Sequence, residues 1–179
     1  MKNHANDLLT VIDEDIASGR LEVYTDQKLK SQDVFSIFER NVYENKLLYG
    51  PGDLGEVYAI SLAQTIGAYS LVTDDAKQGG PYMSLLQFEE DVMPFTFADV
   101  LILRYLFGSA DERQTVKDFN AVNAASDLNW SFKSQIAKFI KRFWKEPYKD
   151  ADRKWMQELV KDNQIRVKSK FGALNRAIE

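Results

Sequence analysis

Residues Asp53 to Asp75, DLGEVYAISLAQTIGAYSLVTDD, form the stretch that decides the fold. Small and apolar residues recur from Val57 to Ile66 at three- and four-residue spacing, which predicts one buried face of an α-helix of about four turns. This helix is expected to begin near Leu54, just after a Gly-Pro-Gly turn. Gly67 is expected to end it, because glycine readily adopts the left-handed conformation found at helix C-termini.

A short apolar run follows the predicted helix. Residues Tyr69 to Val72 are mostly aromatic or aliphatic, which predicts a parallel strand buried on both faces. The strand is expected to stop at the Thr73–Asp75 segment. Acidic residues at the carboxyl end of such a strand lie where open α/β sheets bind their ligands. Glu56, in the first turn of the helix, is expected to reach the same crevice.

Composition narrows the classes of function. The chain has 179 residues and no cysteine, which excludes disulfides, thiolate metal sites and cysteine nucleophiles. Its longest apolar run, Val100 to Phe107, is interrupted by an arginine and is too short to cross a bilayer. The acidic N-terminal region does not resemble a signal peptide. We therefore expect a soluble, cytoplasmic protein that does not bind membranes.

Charge is distributed unevenly along the chain. Residues 1–132 contain ten Lys/Arg and twenty-one Asp/Glu, a net charge of −11, whereas residues 133–179 contain thirteen and six, a net charge of +7; together they give the overall −4. An acidic body with a basic C-terminal region predicts either that this region docks on the body or that it faces a polyanion.

The order of predicted elements up to residue 108 indicates an α/β fold with a small parallel sheet flanked by helices. Besides the central helix and strand, the expected elements are a helix Ala5–Ala17, a strand Leu21–Tyr24, a second helix with Ser31 as N-cap, a short helix Tyr82–Phe88, a strand Val92–Phe95, and a helix capped by Thr96 that runs to Phe107. The second helix is expected to bury Val34, Phe35, Ile37, Phe38, Val42 and Leu47.

Helices alone are predicted beyond Gly108, so we expect an α/β domain at residues 1–108 and an all-helical basic extension at residues 109–179. The expected helices are Asp111–Ala125, a helix that starts at Asp127 or Ser131 and ends before Pro147, and Asp150–Val160. Lysines alternate with aromatic residues in this region. Such a pattern can hold single-stranded nucleic acid by charge and base stacking, but aromatic residues at helical spacing are more often part of a core.

The run GEVYAISLAQTIGAYSLVTDD resembles the middle of PIN-like domains, in which a Gly-Glu pair opens a helix that leads into a strand ending in Thr-Asp or Asp-Asp. The later run DVMPFTFADVLILRYLFG is similar to their last strand and closing helix. In the order of its elements, the resemblance covers roughly residues 5–107. In the motif itself it covers about 25 residues.

The resemblance implies a metal-dependent ribonuclease that hydrolyses RNA phosphodiesters with Mg²⁺ or Mn²⁺. Such cations prefer oxygen ligands, lower the pKa of bound water and stabilise charge on phosphate. By position in the motif, Glu56 matches the Gly-Glu acid and Asp75, or its neighbour Asp74, matches the acid after the strand, with Asp53 beside this group. These four are the expected metal ligands, and Glu56, Asp74 and Asp75 the expected catalytic residues. Each also has a structural interpretation, as a helix cap, a residue that favours the helix dipole, or a turn residue.

One departure from the family separates two hypotheses. PIN-like domains normally begin with an apolar strand that ends in an aspartate, and residues Met1 to Asp7 contain no such strand. We expect a shortened N-terminus, a substitute element, or lost chemistry; Asp26 and Asp99 are further acids that could complete a site. The second hypothesis is a non-catalytic, degenerate PIN-like scaffold that binds a protein or nucleic-acid partner through its C-terminal helices. The resemblance also allows a cognate inhibitor, which many toxins of this resemblance have, and a second copy of the chain, in a homodimer, is another partner that the sequence allows.

Overall fold

The computed structural model describes residues 2–49, 54–73, 92–126, 128–147 and 150–179. Helices dominate the described residues, and two strands form a small parallel sheet. In chain order the elements are α1 (Lys2–Ala17), α2 (Asp26–Ser31), α3 (Phe35–Tyr49), α4 (Leu54–Ile66), β1 (Ser70–Val72), β2 (Met93–Phe95), α5 (Phe97–Leu106), α6 (Glu112–Ala125), α7 (Phe132–Ile140), a π-helical turn (Lys141–Lys145), α8 (Asp150–Asp162) and α9 (Val167–Ile178).

The chain forms two compact units, an N-terminal unit of Met1–Ile66 and a C-terminal unit of Gly67–Glu179. In the N-terminal unit α3 packs lengthwise against α4. Val57 and Ile60 of α4 are buried together with Val42 of α3, which is the packing that the apolar spacing of α4 predicts. The same interface buries Asn45, whose amide donates to Ser61 Oγ at 2.8 Å and to Gln64 Oε1 at 3.0 Å.

In the C-terminal unit, β1 and β2 pair in parallel with Ser70 opposite Met93 and Val72 opposite Phe95. Helices α5 to α9 form one hydrophobic core beside this sheet. Phenylalanines provide much of it; for example, the rings of Phe119 and Phe132 stack with centroids 4.3 Å apart. The helices that follow residue 108 therefore share a core with α5, which precedes it.

Several local predictions are confirmed. Helix α4 has the expected bounds, and Gly67 follows it with φ +64°, a conformation that suits glycine. Thr96 caps α5 with a capping box: its hydroxyl accepts from the Asp99 N–H, and the Asp99 carboxylate accepts from the Thr96 N–H. The parallel pairing of the strands after α4 confirms the broad α/β class.

Three expectations were wrong. Residues Leu21–Tyr24 form no strand; instead the Glu22 carboxylate accepts hydrogen bonds from Tyr24 and Lys28, local contacts that lead the chain into α2. Ser31 caps no helix, since it is the last residue of α2 and donates to the Lys28 carbonyl. Strand β1 is not buried on both faces.

The exposure of β1 follows from the size of the sheet. Tyr69, just before the strand, is 89 % exposed and Val72 is 53 % exposed. Among the described residues only β2 pairs with this strand, so within them one edge of β1 has no neighbouring strand. The predicted helix Tyr82–Phe88 lies outside the described residues. The division at residue 108 differs from the two compact units and stays a prediction.

Candidate functional site

Glu56 lies where the sequence predicts it, in the first turn of α4. Its side chain is half-buried, and Val57, the next residue, is fully buried in the core of the N-terminal unit. A carboxylate at this position is favoured by the positive end of the helix dipole. Glu56 is therefore fixed in place by α4, whether or not it binds a cation.

The other three predicted ligands, Asp53, Asp74 and Asp75, lie outside the described residues. The chain is described up to Thr73, whose N–H donates to the Phe95 carbonyl at 2.9 Å and continues the pairing of β1 with β2. The convergence of these acids with Glu56 stays a prediction. In the described part of the chain, three or more His, Asp or Glu side chains nowhere gather in a group suited to a metal ion.

Asp26 and Asp99 occupy different surroundings. Asp26 is exposed in the first turn of α2 in the N-terminal unit. Asp99 is buried in the C-terminal unit, in the first turn of α5 and directly after β2, with its side chain 6 % exposed. This is the carboxyl end of a parallel strand, the place where the sequence predicts acidic ligands.

Asp99 is already paired with a cation of the protein itself. Nη1 of Arg142, in the π-helical turn, lies 3.7 Å from Asp99 Oδ2. The same guanidinium donates from Nε to Asp152 Oδ2 at 3.0 Å and from Nη1 to the Pro94 carbonyl at 2.6 Å. The guanidinium therefore joins α5, α8 and β2, and we call Asp99, Arg142 and Asp152 the buried ion cluster.

The aromatic core surrounds this cluster. The Arg142 guanidinium lies 4.6 Å from the ring centroid of Phe143 and 5.5 Å from that of Phe95. A cation over an aromatic face gains electrostatic stabilisation when both are shielded from water. The π-helical turn places two consecutive residues, Arg142 and Phe143, in the interior. Because Asp99 shares this cation, its charge is largely compensated within the protein, which makes it a weak ligand for an additional metal ion.

The sequence does not reveal the buried ion cluster, because Arg142 stands in the same basic stretch as the exposed lysines around it. A weak signal is present in the run Phe139–Trp144. Apart from Arg142 and one lysine, every residue of this run is aromatic or aliphatic. A charged residue at a core position of a helix needs a partner. Its partners come from residues 10 and more positions away and are not visible in the local pattern.

Apart from Arg142, most basic residues of the C-terminal region lie at the surface, whereas its phenylalanines lie in the core. The phenylalanines at 132, 139 and 143 are at most 5 % exposed, which confirms the packing interpretation for these rings. Lys138, Lys141 and Lys145 are exposed and follow one another at spacings of three and four residues along α7 and the π-helical turn. Residues at this spacing lie on the same side of a helix. We call these three residues the lysine row.

The lysine row carries little compensating charge. Lys141 pairs with Glu146 at 2.8 Å, and both side chains are well exposed, so this pair is weakly held. Within the described ranges, Lys138 and Lys145 make no salt bridge to a carboxylate. Other exposed basic residues among the described part of the same unit are Arg104, Arg113, Lys117, Lys133, Lys154, Lys161, Arg166, Lys168 and Arg176.

Two groups with shifted pKa values, Tyr105 of α5 and Glu112 of α6, form a hydrogen bond that Lys170 of α9 joins. Burial, and then the hydrogen bond to Glu112, raises the pKa of Tyr105. Its hydroxyl is shared between the Glu112 carboxylate at 2.8 Å and the Lys170 carbonyl at 2.9 Å, while Lys170 Nζ donates to the Tyr105 carbonyl at 2.7 Å. The Glu112 backbone N–H and the Tyr105 hydroxyl lower the pKa of Glu112. Neither group titrates near neutral pH, which suits a structural contact.

Comparisons with protein-family models, with curated proteins and with solved structures find no match to this chain. No helix among the described residues is long and apolar enough to cross a membrane.

Proposed function

We propose that this chain is a non-catalytic binding protein whose lysine row holds the phosphates of RNA. The observation that carries the proposal is the exposure of Lys138, Lys141 and Lys145 on one side of a helix whose opposite side is fixed in the core. A fixed row of ammonium groups binds a polyanion by charge and by release of its counterions.

The dimensions of the row suit a nucleic-acid strand. Lys138 and Lys145 are seven residues apart, which is about 10 Å along a helix at 1.5 Å per residue. A strand that carries one charge per about 3.4 Å of axis places several phosphates over this distance. Phe139 and Phe143 are buried and cannot stack on bases, although the ring of Trp144 is only half-buried. We therefore expect contacts mainly with the backbone, and hence little dependence on sequence.

The test measures fluorescence anisotropy of a labelled single-stranded oligouridine with the full chain and two double variants. Lys138→Glu with Lys145→Glu reverses two charges of the row. Arg113→Glu with Lys117→Glu is the matched control, because these are exposed basic residues of one helix, α6, and the charge change is the same.

The row variant is expected to bind about 20-fold more weakly at 0.1 M salt, since two phosphate contacts each contribute about 0.7 to the logarithm of the affinity. The control is expected to stay within about twofold of the unmodified chain. Equal weakening by both variants would show only an effect of net charge and would overturn the assignment to the lysine row. No binding of RNA by the unmodified chain would overturn the proposal and favour a protein partner.

The metal-dependent nuclease remains the second proposal. Its support is the position of Glu56 in the first turn of α4, followed by β1 and its parallel pairing with β2, the order of elements in a PIN-like domain. The expected ligands are Glu56, Asp53, Asp74 and Asp75, with Mg²⁺ or Mn²⁺ as the cation. Glu56→Gln or Asp75→Asn should abolish Mn²⁺-dependent cleavage of single-stranded RNA and leave the fold intact. Equal cleavage by the unmodified chain and both variants would eliminate this proposal.

A further inference from the structure

A groove of about 540 Å³ lies on the N-terminal unit, lined by residues of α2, α3 and α4. Val42 in its lining is buried and Phe38 half-buried, whereas Tyr43 and Tyr58 are 66 % and 45 % exposed. Two tyrosine rings that are open to solvent beside an apolar interior are typical of a recognition surface.

Three aromatic side chains of the groove, Phe35, Phe38 and Tyr58, form a connected set, and two of them carry a lysine ammonium group. The ring of Phe38 lies 6.5 Å from Phe35 and 6.1 Å from Tyr58, centroid to centroid. Lys30 Nζ lies 4.4 Å from the centroid of Phe35, and Lys46 Nζ lies 5.5 Å from that of Tyr58. Each ammonium group is within the range in which an aromatic face stabilises a positive charge.

The exposed carboxylates of the groove are the groups that favour a cation. Its lining contains two of them, Asp26 and Glu39, and one ammonium group, Lys46, while a second ammonium group, that of Lys30, lies over the lining residue Phe35. Neither carboxylate forms a salt bridge within the part of the chain that the structure describes. Residues 1–66 carry six Lys/Arg and eleven Asp/Glu, a net charge of −5, so the surrounding field has the same sign.

We propose that this groove binds an arginine side chain of a basic peptide segment in a partner protein. A guanidinium is planar, so it can lie against the exposed Tyr43 ring while its edge donates to Glu39 or Asp26. The apolar interior formed by Val42 and Phe38 then accommodates neighbouring aliphatic groups of the peptide. The groove contains no residue of the lysine row, so this inference is independent of RNA binding.

The probe is N-acetylarginine amide, added to the ¹⁵N-labelled full chain and followed by backbone amide shifts. Saturable shifts are expected at α2 and α3 residues around Asp26, Glu39 and Tyr43. N-acetylglutamine amide, which is similar in size but neutral, should leave these signals unchanged at the same concentration.

Two variants on α3 make the test specific. Glu39→Gln removes a carboxylate of the groove and is expected to weaken arginine binding about fivefold, the effect of losing one exposed ion pair. Glu44→Gln is the matched control, because Glu44 is an exposed acid of the same helix that pairs with Arg40 and lies outside the groove. Equal weakening by both variants, or absence of saturable shifts at the groove, would overturn the proposal.

Discussion

Removing the Arg142 side chain is the perturbation whose cost follows most directly from the structure. The guanidinium side chain is 3 % exposed, and the carboxylates of Asp99 and Asp152 are 6 % and 7 % exposed. Arg142→Met keeps much of the aliphatic length but leaves two carboxylates buried near one another without their cation. It also removes the donor to the Pro94 carbonyl on β2.

The expected loss of stability comes from two opposing terms. At an effective dielectric constant of about 20, each carboxylate at 3.0–3.7 Å is attracted to the guanidinium by about 4–6 kcal/mol. Desolvation of the three groups offsets most of this attraction in the intact protein. Breaking a buried pair by removing one partner nevertheless costs about 3–5 kcal/mol, because the remaining charge stays desolvated. We therefore expect Arg142→Met to destabilise the C-terminal unit by about 3–5 kcal/mol.

The assay is equilibrium unfolding in urea, followed by the fluorescence of Trp130, Trp144 and Trp155, all of which pack against the core of the C-terminal unit. In a separate thermal unfolding experiment, a loss of this size should lower the midpoint by about 10–20 °C. Adding Asp99→Asn and Asp152→Asn to Arg142→Met should recover about 1–2 kcal/mol, since the uncompensated charges are then gone. A single variant within about 1 kcal/mol of the unmodified chain, or a triple variant less stable than the single one, would refute this explanation of the cluster.

Two further changes test other contacts. Tyr105→Phe should destabilise the protein by about 1–2 kcal/mol at neutral pH, because it removes the hydroxyl shared by Glu112 and Lys170; unfolding in urea measures the loss, and an unchanged midpoint would contradict it. The pKa of Tyr105 is raised on folding, so its contribution to the free energy of unfolding should be full below the pKa of an unfolded tyrosine, about 10, and should decline as the pH rises above that value. Stability measurements from about pH 8 to 11 on the unmodified chain and on Tyr105→Phe would detect this decline. Asn45→Ala should cost about 1–3 kcal/mol, because the buried Ser61 loses its hydrogen-bond donor; thermal unfolding checks this, and stability equal to that of the unmodified chain would count against a specific role for the α3–α4 hydrogen bonds.

The features that could be predicted from the sequence are those that depend on local chemistry. The spacing of apolar residues predicts where α4 lies, and the backbone freedom of Gly67 predicts where it ends. Both signals are local to the helix itself. Thr96 and Asp99 form a capping box because they stand three positions apart, and this holds whatever lies elsewhere in the chain.

The features that could not be predicted depend on partners distant in sequence. A strand at Leu21–Tyr24 needs a neighbouring strand, which local alternation does not supply. Burial of β1 needs a larger sheet than the described pair. An arginine is usually found at the surface. Arg142 is interior because Asp99, Asp152 and the Pro94 carbonyl converge on it. The sequence therefore indicates the acids of a candidate site, but it does not indicate that Arg142 compensates the charge of Asp99.

The salt dependence of RNA binding tests the central claim most directly. The logarithm of the affinity for oligouridine is measured against the logarithm of salt concentration for the unmodified chain, for Lys138→Glu with Lys145→Glu, and for Arg113→Glu with Lys117→Glu. If the lysine row holds phosphates, the slope for the row variant should be shallower by about 1.4, since each lost contact to a single strand removes about 0.7. The slope for the control should not change. Identical slopes for all three proteins would contradict the account.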